Sequence, residues 1–192
     1  TVAVIIPAMG PTYQALSTRA QQSVRGAEQI IISDNENGDL ADARNYGAQI
    51  AKTSHLIFLD ADDELDPAYI EEMKKVKGDI RRPSTLGIYE NGNQDDEPVM
   101  IPRGDIFTSN FVVIGAMIER ERFLRVGGFR NLPILEDWDL WLRMVIDGAN
   151  IVDVPKACYK VHVRSNSRNS DSREHGLIYS EIRRTYADHR IH

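Results

Sequence analysis

The side chains best suited to chemistry follow the apolar residues 55–59. Three aspartates and a glutamate lie within five consecutive positions there: Asp60, Asp62, Asp63 and Glu64. Neighbouring carboxylates repel one another unless a cation offsets their charge. Oxygen ligands suit Mg²⁺ or Mn²⁺, particularly where phosphates complete the ligand set. The cluster therefore favours a divalent metal or phosphate site over an acidic, solvated start of a helix.

Asp60 and Asp62 are separated by Ala61 alone. Alternation along an extended chain puts side chains two residues apart on the same face. We expect one of these two carboxylates to hold a ribose and the other to hold a divalent cation that bridges a diphosphate.

Two further polar residues are candidates for a nucleotide site. Asp34 follows the apolar residues 29–33, and a carboxylate at the end of a strand can accept hydrogen bonds from a base or ribose. The alternative is an Asx-turn, which Asp also favours. Arg44 falls inside a predicted helix, so its guanidinium either reaches a nucleotide or the acidic cluster, or lies in solvent.

A pair of acids begins a predicted helix at residues 136–147. Glu136 and Asp137 fit the preference for negative charge at a helix N-terminus, but a carboxylate beside apolar rings at such a corner also fits a general base. Trp138 and Trp141 share an apolar stripe with the helical period, which favours a place in the core over a platform for a sugar.

A basic segment near the C-terminus is the last candidate. His162 ends a predicted strand and is a possible third metal ligand, although a single His in such a place is more often structural. Arg164 and Arg168 belong to a segment, residues 153–173, that contains more basic than acidic residues. Such a segment suits closure over an anionic ligand, and solubility is the simpler alternative.

The elements that must position these residues alternate along the first half of the chain. Apolar runs at residues 2–6, 29–33 and 55–59 predict buried strands, and residues 12–24, 39–52 and 67–77 predict helices. Asp66 is the expected N-cap of the third helix, with Pro67 at its first position. This βαβαβα order predicts a doubly wound parallel sheet, whose ligands bind outside the carboxyl ends of its strands.

In the second half of the chain, strands and helices are not predicted to alternate regularly. We expect strands at residues 79–89, 111–118, 151–154 and 157–163, and a hairpin turn at Asn91-Gly92. Helices are expected at residues 119–126, 136–147 and 174–189. Within a single domain of residues 1–192, this divides a nucleotide-binding half, 1–82, from an acceptor and catalytic half, 83–163, followed by a flexible loop and final helix, 164–192.

Bulk properties exclude several classes of protein. The chain has 192 residues, a net charge of −6 and one cysteine, Cys158. The acidic balance argues against nucleic-acid binding, and a single cysteine excludes an internal disulfide and a multi-cysteine zinc site. No apolar run is long enough for a membrane span and no signal peptide is visible, so we expect a cytoplasmic protein.

Together these motifs resemble the family 2 glycosyltransferases of the GT-A fold. The resemblance rests on several segments in the expected order, of which the Asp60-Ala61-Asp62 signature and Glu136-Asp137 are the most informative. The remaining segments are residues 2–7, Ser33-Asp34-Asn35, residues 43–47 and Val126-Gly127-Gly128-Phe129. It implies an α/β fold with a mixed, mainly parallel sheet flanked by helices on both faces.

The resemblance also implies a reaction and a set of roles. A metal-dependent inverting enzyme would move a sugar from a nucleotide-sugar donor, a UDP-sugar before others, to an acceptor hydroxyl. Asp137 would be the general base, Asp62 would bind Mn²⁺ or Mg²⁺, and His162 would be a second metal ligand. The residues implied in nucleotide-sugar binding are Pro7, Ala8, Asp34, Arg44, Asp60, Ala61, Asp62, Glu136, Arg164 and Arg168.

The sequence leaves the base, the sugar and the acceptor open, and it allows a homo-oligomer. Residues 34–38 differ from the Asp-Gly-Ser turn common in the family, so they do not indicate which base is bound. The short chain favours a soluble enzyme that adds single sugars over a processive polysaccharide synthase. The alternatives are a non-catalytic nucleotide-sugar-binding module and a phosphatase of the haloacid-dehalogenase type. The phosphatase is disfavoured because Glu64 stands where a Thr or Val is expected.

Overall fold

The computed structural model describes residues 1–34, 39–164 and 172–190. Its strands are β1 (Val2–Pro7), β2 (Gln29–Ser33), β3 (His55–Phe58), β4 (Glu64–Leu65), β5 (Ile80–Tyr89), β6 (Met117–Glu119) and β7 (Ile151–Val163). Its α-helices are α1 (Gly10–Ser23), α2 (Leu40–Ile50), α3 (Tyr69–Lys75), α4 (Arg120–Arg125), α5 (Glu136–Ile146) and α6 (Ser172–Thr185). A 3₁₀ helix, Ala187–Arg190, follows α6.

All seven strands form one mixed sheet in the order β2-β1-β3-β6-β5-β7-β4. The first three strands pair in parallel, with Ile5 opposite both Ile31 and Phe58. The predicted βαβαβα unit is therefore present, and it brings the carboxyl ends of β1, β2 and β3 to one edge. β6 is antiparallel to both β3 and β5, while β5 and β7 pair in parallel.

Apolar side chains form a core on each side of the sheet. Alternate residues of β1 divide between the two sides: Ala3 and Ile5 pack toward α2, while Val4 and Ile6 pack toward α1. Trp138 and Trp141 of α5 are fully buried, and their indole N–H groups donate to the carbonyls of Ile106 and Val112. The prediction that the tryptophans belong to the core is confirmed.

Several predicted boundaries are wrong, for physical reasons. Residues 111–116 do not form a strand, because side chains rather than a neighbouring strand bind their carbonyls. Arg82 donates to Phe111 O, Trp141 to Val112 O and the Tyr69 hydroxyl to Gly115 O. Only the end of this segment pairs in the sheet, as β6.

Three smaller corrections concern strands and caps. β2 is an edge strand whose Ile30 and Ile32 are exposed, since β1 pairs with it on one side only. The two strands expected at residues 151–163 are one strand, β7, with a register shift opposite Pro83 and Ser84. α3 begins at Tyr69 rather than Pro67, because Asp66 first closes a turn by accepting hydrogen bonds from Ala68 N and Tyr69 N.

Among the residues described, no helix is long and apolar enough to cross a membrane.

Candidate active site

The acidic residues after β3 form a tight turn. Asp63 N donates to Asp60 O at 3.0 Å, so the chain is not extended here and the alternation argument is wrong. The turn nevertheless leaves the carboxylates of Asp60 and Asp62 partly exposed, at 33% and 25%, while Ala61 is buried. Glu64 does not start a helix but pairs with Lys160 as part of β4.

Asp63 is the buried carboxyl of this turn, and its pKa is shifted by burial and by its acidic neighbours. Its carboxylate is buried and accepts the His162 backbone N–H at 2.8 Å. Burial, followed by the charges of Asp60 and Asp62, raises the pKa of Asp63 to about 8. A cation near Asp62 would relieve this repulsion, so the donor set of the turn fits Mg²⁺ or Mn²⁺.

The structure tests the metal ligands further. Within the described part of the chain, no three His, Cys, Asp or Glu side chains are grouped so as to hold a metal ion. His162 Nε2 lies 2.8 Å from Glu64 Oε1, so that nitrogen would have to leave Glu64 in order to bind a metal.

Two arginines lie next to Asp62. Arg164 Nη2 is 3.7 Å from Asp62 Oδ2, and Arg19 Nη2 of α1 donates to Asp62 O at 2.7 Å. Both line a pocket of about 290 Å³ together with His162 and Tyr89. Sequence reasoning missed Arg19, because only the packing of α1 against β4 brings it to the turn. Arg168 lies outside the described residues.

Arg44 joins the acidic turn to the start of α5. Its Nη2 donates to Asp60 Oδ1 at 2.6 Å and its Nη1 donates to Glu136 Oε1 at 2.7 Å. The guanidinium is 1% exposed and lies 5.0 Å from the centre of the Phe129 ring. Of the predicted alternatives for Arg44, the structure therefore has the contact with the acidic cluster, and the solvated side chain is wrong.

Asp137 sits at the first turn of α5, beside Glu136. It is half-buried: Oδ1 accepts the Trp138 backbone N–H at 2.7 Å, and Oδ2 accepts the Asn110 side-chain amide at 3.2 Å. Burial and the charge of Glu136 raise the pKa of Asp137 to about 6, against the lowering effect of its hydrogen bonds and of Arg44. A carboxylate with this pKa can accept a proton near neutral pH.

The backbone before α5 is strained. Leu135 has φ +60°, in the left-handed region that non-glycine residues seldom adopt. Such conformations cost free energy and cluster at functional sites. Leu135 is the N-cap of α5 and directly precedes Glu136 and Asp137 in its first turn. Neither Leu135 nor Asn110 carries a sequence signal of this role.

The residues that the sequence predicted to bind the nucleotide lie at the ends of β1 and β2. Ala8 N donates to Ser33 O at 2.9 Å, and the exposed Asp34 accepts a hydrogen bond from the Gln14 side chain. Pro7 and Ala8 are buried, Ala8 completely so. Ser33 Oγ is also buried, with no hydrogen-bond partner among the residues described.

Comparison with known proteins identifies the family. Residues 12–111, more than half of the chain, match the model for glycosyl transferase family 2. The chain belongs to glycosyl transferase family 2. An uncharacterized glycosyltransferase of Haemophilus influenzae is 28% identical over 174 residues, which cover 81% of this chain and 58% of that relative. The chain thus spans just under three-fifths of the length of this relative.

Solved structures give the fold of this family 2 domain. TarS of S. aureus (residues 1–349, in complex with UDP-GlcNAc) superposes with a TM-score of 0.68 and 14% identity, covering 90% of this chain and 61% of TarS. GalNAc-T7 with UDP, GalNAc and Mn²⁺ has a TM-score of 0.63 and 18% identity, covering 86% of this chain and 44% of GalNAc-T7. The fold of the chain is therefore GT-A, as the sequence predicted.

Proposed function

We propose that this domain transfers a sugar from a nucleotide-sugar donor to an acceptor hydroxyl with inversion at the anomeric carbon, and that Asp137 is the general base. The observation that carries the proposal is the half-buried Asp137 carboxylate with a pKa of about 6, tied through Glu136 and Arg44 to the acidic turn. Acid and base chemistry near neutral pH needs such a group.

The proposed reaction is a single displacement. The Asp137 carboxylate takes the proton of the acceptor hydroxyl as the hydroxyl oxygen bonds to the anomeric carbon. The bond from that carbon to the diphosphate breaks, and its electron pair leaves with the phosphate oxygen. Attack from the face opposite the leaving group inverts the anomeric centre, which distinguishes this route from one with a covalent intermediate.

Asp62 is the residue proposed to hold a divalent ion, Mn²⁺ or Mg²⁺, with Asp60 nearby. When bound, such an ion would offset the negative charge of a leaving nucleoside diphosphate. His162 stays a second candidate ligand, on the condition that its Nε2 gives up Glu64. GalNAc-T7, which shares the fold, was crystallised with Mn²⁺.

The donor is proposed to lie along the carboxyl ends of β1, β2 and β3. Pro7, Ala8 and Asp34 would border the nucleoside, and Asp60, Ala61 and Asp62 would border the ribose and diphosphate. Arg164 and Arg168 would offset phosphate charge, an assignment supported by the contact of Arg164 with Asp62. A UDP-sugar is the first donor to test, since TarS and GalNAc-T7 were solved with UDP-GlcNAc and with UDP. A cytoplasmic location and a homo-oligomer stay predictions.

The test is turnover of a panel of UDP-, GDP- and dTDP-sugars with Mn²⁺. We expect Asp137→Asn to lower kcat by about 10²–10⁴-fold, the usual contribution of general base catalysis. Asp62→Asn should abolish metal-dependent donor binding. The anomeric configuration of the product, read by NMR, should be opposite to that of the donor.

Glu121→Gln serves as the matched control, because it removes an exposed carboxylate of α4 and should leave turnover unchanged. Retention of configuration would overturn the single displacement. Donor binding by the wild type without turnover on any acceptor would favour the non-catalytic binding module. Full activity in Asp137→Asn would favour another base.

A further inference from the structure

A single buried guanidinium connects the two halves of the candidate site. Asp60 belongs to the acidic turn after β3, and Glu136 belongs to the first turn of α5, 76 residues later (136 − 60). Both bind the same side chain, Arg44 of α2, through different nitrogens at 2.6 and 2.7 Å. Arg is suited to this task because its planar fork presents several donors in a fixed geometry.

The neighbours of Arg44 hold this fork in place. Phe129 covers the guanidinium, and the side chain of Asn45 both donates to Phe129 O, at 2.9 Å, and accepts from Phe129 N, at 2.8 Å. Gly128 packs so closely on Asn45 that an added Cβ would lie 2.4 Å from Asn45 Oδ1. Two consecutive residues of α2, Arg44 and Asn45, thus bind the acidic turn, the start of α5 and the segment around Phe129 that precedes α5.

The burial of Arg44 limits what else it can do. At 1% exposure, with both terminal nitrogens on protein carboxylates, it has no free surface for a nucleotide. Charged groups buried in this way are retained only when they are paired, and removal of one partner leaves an uncompensated charge. The resemblance to the family implied that Arg44 supports the nucleotide pocket, and the contacts show support through Asp60 rather than contact with a ligand.

We propose that Arg44 is a positioning residue for the reaction, which fixes the first turn of α5, and with it Asp137, relative to the donor-side carboxylate Asp60. This inference rests on the proposed function, since Asp137 is the base there. Small displacements of a reacting group reduce rates strongly: a misplacement of about 1 Å can cost about 10²-fold. Arg44 therefore acts on the chemical step rather than on donor affinity.

The first experiment replaces the forked guanidinium of Arg44 and keeps its positive charge. Arg44→Lys supplies one ammonium group in place of two guanidinium nitrogens, so it cannot hold both carboxylates in the same geometry. We expect kcat to fall about 10- to 100-fold while the donor KM and the Kd of UDP with Mn²⁺ change less than about threefold. A loss of donor affinity tenfold or more with unchanged kcat would overturn the proposal, because it would show that Arg44 supports donor binding through Asp60 rather than the position of the base.

Arg122→Lys is the matched control. Arg122 of α4 is also largely buried, at 14% exposure, and binds two acidic residues: Asp147, the C-cap of α5, and Asp79, which precedes β5. If Arg44 were merely structural, both substitutions would lower the melting temperature and neither would change kcat per folded molecule. We expect a fall in kcat for Arg44→Lys alone.

A second readout does not depend on turnover. The charged groups that act on the Asp137 carboxyl are Glu136, which raises its pKa, and Arg44, which lowers it. In Arg44→Met, the ¹³C carboxyl signal of Asp137 should therefore titrate at higher pH than in the wild type. The signal is assigned by its loss in Asp137→Asn.

The two readouts separate the failure of this inference from that of the proposed function. If the wild type turns over no donor but the Asp137 signal titrates at higher pH in Arg44→Met, the connection between Arg44 and Asp137 is real and the assigned reaction is wrong. If turnover is established and neither kcat in Arg44→Lys nor the titration in Arg44→Met changes, Arg44 does not position the base. If Arg44→Met fails to fold, the separate effects of Arg44→Lys on kcat and on KM still show whether Arg44 positions the base.

Discussion

At the scale of single residues, the two key acids of the site differ in environment more than in identity. Both side chains are partly buried, but Asp62 lies beside the positive charge of Arg164, whereas Asp137 lies beside the negative charge of Glu136. Burial, followed by the charge of Glu136, disfavours the charged form of the Asp137 carboxyl and raises its pKa toward neutral pH. This difference suits one residue to a cation and the other to a proton.

The pH dependence of turnover should report the Asp137 carboxyl. Because a general base must be deprotonated, kcat/KM should rise with pH through an apparent pKa of about 6. The measurement is a pH–rate profile of the wild type with saturating Mn²⁺. A profile that stays flat from pH 4.5 to pH 8 would count against Asp137 as the base.

The same shift has a consequence for stability. The pKa of Asp137 is higher in the folded state, about 6, than its ordinary value of 3.8, so the folded state binds the proton more tightly. The stabilising contribution is complete below 3.8 and is lost as the pH rises through about 6. Asp137→Asn should therefore raise the melting temperature at pH 8, and this gain should shrink toward pH 4. An unchanged gain across this range would contradict the shift.

At the scale of elements, α2 connects the site. Arg44 and Asn45 reach the acidic turn, α5 and the Gly127-Gly128-Phe129 segment, while Gly47 lies against Ile5, where an added Cβ would be 2.5 Å from a methyl carbon. These contacts give physical roles to most of the residue 43–47 motif. They also explain why that motif and the glycine pair occur together in this chain.

The two adjacent glycines provide a matched test of this connection. Both have positive φ, +87° at Gly127 and +67° at Gly128, but an added Cβ meets nothing within 4 Å at Gly127 and meets Asn45 at Gly128. We expect Gly127→Ala to cost about 1–2 kcal/mol of stability from backbone strain. Gly128→Ala should cost about 2–5 kcal/mol, because overpacking adds to the same strain.

Chemical denaturation of Gly127→Ala and Gly128→Ala measures the difference between their free energies of unfolding. Gly128→Ala should also lower kcat, since displacement of Asn45 frees Phe129, which covers Arg44. Equal stabilities of the two variants would contradict the close contact between Gly128 and Asn45.

At the scale of the whole molecule, the mixed sheet brings distant segments to one edge. The β2-β1-β3 strands carry the residues proposed to border the donor, and the antiparallel pairing of β4 with β7 brings His162 and Arg164 to the acidic turn. A ligand bound at this edge would contact several elements in the folded state and none of them in the unfolded chain. Binding should therefore stabilise the entire domain.

Thermal unfolding measures this coupling. A nucleotide-sugar at about 100 times its Kd, with Mn²⁺, adds about 2.7 kcal/mol of stability. For a domain of this size that corresponds to a rise of about 5–10 °C in the melting temperature. Asp62→Asn should remove the part of this rise in melting temperature that depends on Mn²⁺, whereas Glu121→Gln should retain the full rise. A wild-type melting temperature that no nucleotide-sugar changes would contradict a donor site here.

The alternating strands and helices of the first half, the family and the candidate acids could be predicted from the sequence, because strand and helix periods and short motifs are local properties. The sequence predicted β1, β2, β3, α2 and α5 within a few residues, together with the cluster at Asp60 to Glu64. It failed at residues 111–116, whose hydrogen bonds go to the side chains of Arg82, Trp141 and Tyr69.

The contacts that hold the site together could not be predicted from the sequence. The bridge through Arg44, the contacts of Arg19 and Asn110, and the left-handed Leu135 all depend on residues far apart in sequence or on backbone geometry without a sequence signature. The pKa of Asp137 follows from the same cause, because burial and neighbouring charge exist only after the chain has folded.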